Sequence, residues 1–166
     1  MAIAQRISPF LWFADEAEEA ASFYTGIFKN SRIKTVSRYS EAGIEAHHRP
    51  PGSVMVVSFE LDGLEFSAIN GGPLFKFNES ISFQVNCADQ KEIDYYWDKL
   101  SAGGDPKAQQ CGWLKDKYGV SWQVVPANMG DFFKDEKSGG AKRAMEAMLP
   151  MKKLDLATIR RAHDGK

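Results

Sequence analysis

The chain is expected to fold as an α+β protein of two βαβββ modules followed by a C-terminal helical extension. Three observations predict this. A strand, an amphipathic helix and a hairpin recur in the same order in each half. Each first strand runs into the same dipeptide, Ala14-Asp15 and Ala88-Asp89. Each last strand follows a turn glycine, Gly63 in one half and Gly119 in the other.

The first module, residues 5–73, opens on the β-rich run Ile7-Ser8-Pro9-Phe10-Leu11-Trp12-Phe13. Asp15 is placed to cap a helix, with Glu18 completing a capping-box-like pair. Ala20, Phe23, Tyr24 and Ile27 then fall on one helical face. A strand over residues 32–39 precedes a polar loop, residues 40–52, that carries His47-His48 and Pro50-Pro51. Two further strands, 54–61 and 64–69, are joined by Asp62-Gly63, a strong hairpin signal. Asn70-Gly71-Gly72-Pro73 ends the module.

The second module, residues 78–127, repeats the order. A strand over 81–87 leads to a helix with Ile93, Tyr96, Trp97 and Leu100 on one face, stopped by Gly103-Gly104. Short strands are expected at 107–109 and 111–115, and a last one at 120–125 behind Tyr118-Gly119. Identities between the halves are few, so the duplication rests on pattern. Residues 1–127 would form one domain and 128–166 the extension. There Ala141, Ala144, Met145, Met148 and Leu149 lie at helical spacing, Ser138-Gly139-Gly140 gives a flexible entry, and Asp155 caps a last helix carrying Leu156 and Ile159.

Composition narrows the function classes. With 21 basic and 22 acidic residues the net charge is −1, which offers no basic face for nucleic acid or anionic lipid. The first residues lack the apolar core of a signal peptide, and no apolar run approaches the ~20 residues that span a bilayer. Cytoplasmic residence is expected, with Cys87 and Cys111 unpaired.

Several motifs then carry a resemblance: Pro9-Phe10-Leu11-Trp12-Phe13, Leu61-Asp62-Gly63, Asn70-Gly71-Gly72-Pro73, Phe77-Asn78-Glu79, Cys111-Gly112-Trp113-Leu114-Lys115-Asp116, Ser121-Trp122-Gln123 and Ala144-Met145 with Met148-Leu149. Together they resemble the vicinal-oxygen-chelate superfamily of glyoxalase I, bleomycin-resistance proteins and extradiol dioxygenases. Within it they resemble the PhnB-like, or 3-demethylubiquinone-9 3-methyltransferase-like, branch. The resemblance implies a curved mixed β-sheet around a cavity, and a homodimer. It also implies a metal-ligand position in the first and last strand of each half. Those positions fall on Ser8, Ser67, Ser82 and Gln123. Neutral hydroxyls and one amide are poor donors for a divalent cation, so no metal and no other cofactor is expected.

Strand alternation extends the list. With Ser8 facing the cavity, Phe10 and Trp12 face it too; with Ser82, so do Gln84 and Asn86. Glu65, Ser67 and Ile69 of one last strand and Ser121, Gln123 and Val125 of the other point the same way. Serines, amides and aromatics suit a small organic ligand, although a solvated or self-filled concavity has the same composition. The expected ligand-binding set is Ser8, Phe10, Trp12, Ser67, Ser82, Gln84, Asn86 and Gln123.

Two side chains are weak catalytic candidates. Glu65 could act as a base, or lie at an edge facing water; Cys111 could be a nucleophile with Lys115 nearby, or an inert thiol. Cys87 belongs to the core, and His47-His48 to a solvated or lid loop. Asn70-Gly71-Gly72-Pro73 could offer amides to an anion or simply turn. The strand, Gly-rich turn and helix of a usual S-adenosylmethionine site are missing, which argues against methyl transfer. Two classes follow: a metal-independent binder of a small metabolite, or a metal-independent enzyme.

Overall fold

The computed structural model describes residues 5–134 and 139–166. The chain divides into two compact units, Met1–Phe77 and Asn78–Lys166. Each unit holds its own mixed sheet, one of four strands and one of three, so the α+β class is as expected.

In the first unit the elements are β1 (Phe10–Phe13), α1 (Ala17–Ile27), β2 (Arg32–Arg38), the single turn α2 (Ile44–His47), β3 (Val54–Leu61) and β4 (Leu64–Asn70). The strand order is β1-β4-β3-β2, with β1 parallel to β4 and the other pairs antiparallel. Asp62 and Gly63 both take positive φ, 46° and 83°, as a two-residue hairpin turn requires. Alternation then sorts the side chains. Leu11, Phe13, Val57, Phe59, Leu61, Phe66 and Ala68 are buried on the face that receives α1, which contributes Ala17, Ala20, Ala21, Tyr24 and Ile27. Tyr24 stacks on Phe59 with ring centres 6.4 Å apart.

Helix α1 does not start as the sequence suggests. Asp15 makes no cap; the helix enters through Glu16, whose side chain makes no capping bond. The Ala17 N–H donates instead to Oδ1 of Asn70 at 2.8 Å. Asn70 is Phe13's partner in the β1–β4 register, which carries its amide to the helix entry. Its Nδ2 donates to the Val54 carbonyl at 3.2 Å, and its own carbonyl accepts from the Tyr39 hydroxyl at 2.8 Å. One buried amide therefore joins β3, β4 and α1. Asp15 pairs with Arg49 from the polar loop. That loop contains α2, which the sequence did not announce. His47 lies against the Tyr39 ring and accepts the Arg49 N–H at its Nδ1, 3.0 Å away, while His48 is exposed.

The second unit contains β5 (Phe83–Cys87), α3 (Gln90–Ser101), β6 (Trp113–Lys115), β7 (Ser121–Pro126), α4 (Gly140–Met148) and α5 (Leu156–Asp164). The order is β5-β7-β6, with β5 parallel to β7 and β6 antiparallel to it. Here the cap is local: Asp89 accepts the Glu92 N–H at 3.0 Å, and the Glu92 carboxylate accepts the Ala88 N–H at 2.8 Å. Val85, Cys87, Ile93, Trp97, Leu100, Leu114, Trp122 and Val124 are buried.

Two expected strands are altered. Residues 107–109 give no strand; Pro106–Ala108 is a 3₁₀ turn, started by Pro106 and capped by Asp105 on the Lys107 N–H at 2.8 Å. The expected 111–115 strand shortens to Trp113–Lys115, because Cys111 and Gly112 adopt left-handed φ of 48° and 84°. The second module thus runs βαββ with a turn in the missing strand's place. Buried Asp116 shapes the final turn, accepting from the Tyr118 and Val120 N–H groups and from Trp122 Nε1 at 2.8–3.0 Å.

The C-terminal helices pack on this unit through Val125, Phe132, Ala144, Leu154 and Ile159. The N–H groups of Cys111 and Gly112 donate to the carbonyls of Met151 and Lys152, each at 2.8 Å. Asp155 caps α5 as expected, and the Thr158 N–H that it accepts holds its carboxyl below the ordinary value. Of the glycine entry, Ser138 lies outside the described residues, whereas Gly140 packs against His163. Met145 and Leu149 remain exposed. Among the described residues no helix is long and apolar enough to cross a membrane.

Replacing Asn70 with Ala should lower unfolding free energy in urea by about 1–3 kcal/mol, since the buried Ala17 N–H and the half-buried Val54 carbonyl lose their partner; Asn70→Asp, which keeps the acceptor but sets a carboxylate against the Val54 carbonyl, should also destabilise. Leu154→Ala should cost about 2–5 kcal/mol in the same measurement, with the loss of structure visible first in the C-terminal amides by hydrogen exchange.

Candidate functional site

The face of each sheet turned away from its helix carries the polar positions. In the first unit that face presents Phe10, Trp12, Ser58, Glu60, Glu65, Ser67 and Ile69, in the register Phe10↔Ser67↔Ser58 and Glu60↔Glu65. Ser67 is half-buried, while Phe10 is 61% exposed. Ser8 lies before β1 rather than in it, and is exposed. Trp12 is pinned: its Nε1 donates to the Gly72 carbonyl at 2.9 Å, and its ring meets Phe75 edge-on at 4.9 Å. Gly71 is obligatory beneath it, since a Cβ there would sit 2.1 Å from the indole. The Gly71 and Gly72 N–H groups donate to the carbonyls of Phe13 and Ala14, so this turn has no free amides for an anion.

In the second unit the corresponding face carries Gln84, Asn86, Trp113, Lys115, Ser121 and Gln123, with Ser82 just before β5. The register is Gln84↔Gln123↔Trp113 and Ser121↔Lys115. The parallel β5–β7 pair brings two expected site residues together, with Gln123 Nε2 donating to Ser82 Oγ at 2.9 Å. Gln84 and Asn86 join side chain to side chain at 2.7 Å. Val125, expected to face the cavity, is instead covered by the C-terminal helices. Lys115 pairs with Glu79, a neighbour the sequence did not reveal, and its ammonium holds the Glu79 carboxyl below the ordinary value. Ser121 is buried, and its Oγ has no partner among the described residues.

These donors do not fit a divalent metal. Ser82 Oγ is engaged by an amide N–H, Ser8 is an exposed hydroxyl outside the strand, and no carboxylate or imidazole occupies the four positions. Among the described residues no three His, Cys, Asp or Glu side chains cluster.

The weak catalytic candidates are already engaged. The Glu65 carboxylate pairs with Lys34, while Glu60, its cross-strand partner on β3, pairs with Arg32. Cys111 Sγ lies 3.4 Å from the Leu149 carbonyl and 3.6 Å from that of Met148, at the end of α4. Lys115, the cation expected to assist it, is held by Glu79. Burial pushes the Cys87 thiol up to about 12, with Glu92 and Asp89 adding to the rise.

A separate cleft of about 630 Å³ in the first unit is lined by Asp15, Glu18, Glu19, Arg49 and Asn70, among others. None of the residues expected to bind ligand lies in it.

Residues 5–125 match the family model described as 3-demethylubiquinone-9 3-methyltransferase. No curated protein sequence matches the chain. Among solved structures, a Bacillus cereus protein labelled 3-demethylubiquinone-9 3-methyltransferase, PhnB, is 39% identical; the match covers 74% of this chain and all of that one, with a TM-score of 0.63. A Pseudomonas aeruginosa protein (18% identity, 74% and 98% covered, TM-score 0.55) and the fosfomycin resistance protein FosX of Listeria monocytogenes (16% identity, 81% and 100% covered, TM-score 0.52) share the fold alone. The chain belongs to the PhnB-like, 3-demethylubiquinone-9 3-methyltransferase family, with the fold of the glyoxalase and bleomycin-resistance proteins.

Proposed function

We propose that this protein binds a small organic metabolite, without a metal, on the polar open faces of its sheets. Ser8, Phe10, Trp12 and Ser67 would serve in the first unit, and Ser82, Gln84, Asn86 and Gln123 in the second. The observation that carries the reading is the Gln123–Ser82 hydrogen bond. At two positions where the superfamily would place metal ligands, an amide and a hydroxyl satisfy one another and leave further donors and acceptors for a neutral or singly charged organic group.

Methyl transfer finds no support beyond the family's name. The β1–α1 connection, Ala14-Asp15-Glu16, has no glycine, and each sheet has a single parallel pair. The alternative, a metal-independent enzyme using Glu65, Gln123 or Cys111, has all three groups engaged by neighbours. We further propose residues 1–127 as the binding domain with 128–166 as its helical extension, and a cytoplasmic homodimer. Dimerisation is favoured by the open edge of β2 and by exposed Phe10, Leu74 and Phe75.

Thermal unfolding of the purified chain with Zn²⁺, Ni²⁺ or Mn²⁺ should leave Tm within about 1 °C of the metal-free value, whereas a ligand found in a metabolite library should raise it. Stoichiometric metal in the purified protein by elemental analysis, with a raised Tm, would overturn the proposal. In a native thiol assay with a disulfide reagent, Cys87 should react only on unfolding; enzyme activity abolished by Cys111→Ser would favour the alternative. Light scattering at micromolar concentration should give twice the chain mass.

A further inference from the structure

The three strands of the second unit, Phe-Gln-Val-Asn-Cys, Trp-Leu-Lys and Ser-Trp-Gln-Val-Val-Pro, contain one charged residue between them, Lys115. A lone cation on an otherwise neutral face needs a counter-ion, and here the partner comes from outside the sheet. Glu79 lies in no helix or strand, and its side chain is 65% exposed while that of Lys115 is 25% exposed. The better-buried partner is the lysine. Directly across from it in the β6–β7 register stands Ser121, whose hydroxyl is buried and unpartnered among the described residues. Continuing the β5–β7 register places Ser82 on the far side of Ser121. The next row on the same face holds Trp113, 37% exposed, beside Gln123. Same-face rows along a strand stand roughly 7 Å apart, about the reach of a carboxylate joined to an aromatic ring.

We propose that Lys115 and Ser121 form an anchor for the carboxylate of a planar, aromatic acid whose ring lies along Trp113, and that Glu79 occupies this anchor as a built-in competitor until the ligand displaces it. The proposal rests on the reading of this face as a ligand site and specifies the ligand's charge.

The donor set argues for a carboxylate in particular. A single ammonium balances a single negative charge, and the strands offer no arginine fork of the kind that favours doubly charged phosphate. One ligand oxygen accepting from both Lys115 Nζ and Ser121 Oγ would supply the serine with the partner it lacks, and buried hydroxyls rarely go without one. Displacing Glu79 costs the pair little, because an ion pair with one largely exposed member is weakly held. The Glu79 carboxylate thus presents to Lys115 the same chemical group that the ligand would.

Titration of the ¹⁵N-labelled full chain with benzoate and, separately, with benzamide, followed by amide shifts, tests the proposal. The neutral probe reports on the face as a ligand site; the ratio of the two affinities reports on the anchor. Benzoate should bind more tightly than benzamide, with shifts at Ser121, Gln123 and the Trp113 indole N–H. Glu79→Gln, a change at an exposed side chain, should widen that preference by about five- to tenfold by removing the competitor. Lys115→Met should collapse it, and Lys115→Arg should restore part of it. Equal affinity for the two probes in the unmodified chain and in Glu79→Gln would overturn the anchor while leaving the ligand face standing. Shifts confined to other surfaces with both probes would overturn both.

Discussion

Everything on the two open faces depends on the parallel pairing of the first and last strand in each unit. A strand that leaves through a helix and returns to lie beside its own start must cross over the sheet, so the helix covers one face and leaves the other uncovered. In the first unit this sets Phe10 against Ser67 and brings Asn70 to the entry of α1. In the second it sets Gln84 against Gln123 and closes the Gln123–Ser82 hydrogen bond. A one-residue slip in either pair would turn Ser67 or Gln123 into the core and expose Ala68 or Val124. The apolar face therefore enforces the geometry of the polar one.

The two faces are polar in different ways. The first unit's carries paired charges, Arg32 with Glu60 and Lys34 with Glu65, near the hairpin end, and aromatic groups at Phe10 and Trp12. The second unit's is nearly neutral: Gln123 bonds Ser82, Gln84 bonds Asn86, and a single lysine borrows its counter-ion from an irregular segment. Exposed pairs such as Lys34–Glu65 contribute little to stability, on the order of 0–1 kcal/mol. Their effect lies in fixing the charge pattern that a ligand would meet. The C-terminal helices limit the neutral face further by covering Val125.

Much of this was legible along the chain. Local rules decided the Asp62-Gly63 hairpin, the Asp89 and Asp155 caps, and the stop at Gly103-Gly104, since each depends on residues within a turn of one another. Period-two alternation placed Phe66, Ala68, Trp122 and Val124 in the core and their neighbours on the open face. Where reading failed, the deciding partner was distant in sequence. The cap of α1 comes from Asn70, 53 residues away, and Lys115 pairs with Glu79, 36 residues away. The shortened β6 follows from carbonyls of Met151 and Lys152 that engage the N–H groups of Cys111 and Gly112.

By itself, then, the sequence determined the class of fold, the side of each strand that would be buried, and the neutral character of the positions where related folds place metal ligands. Periodicity and residue chemistry are properties of the chain, and they need no knowledge of what lies beside it. Only the tertiary structure decided which polar groups are left over. Glu65 and Cys111 already have partners, Val125 is covered, and Ser121 is not satisfied among the described residues. Whether a polar side chain is satisfied depends on neighbours brought together by strand pairing and helix docking, and hydrogen bonds act over about 3 Å, a distance that sequence spacing does not encode.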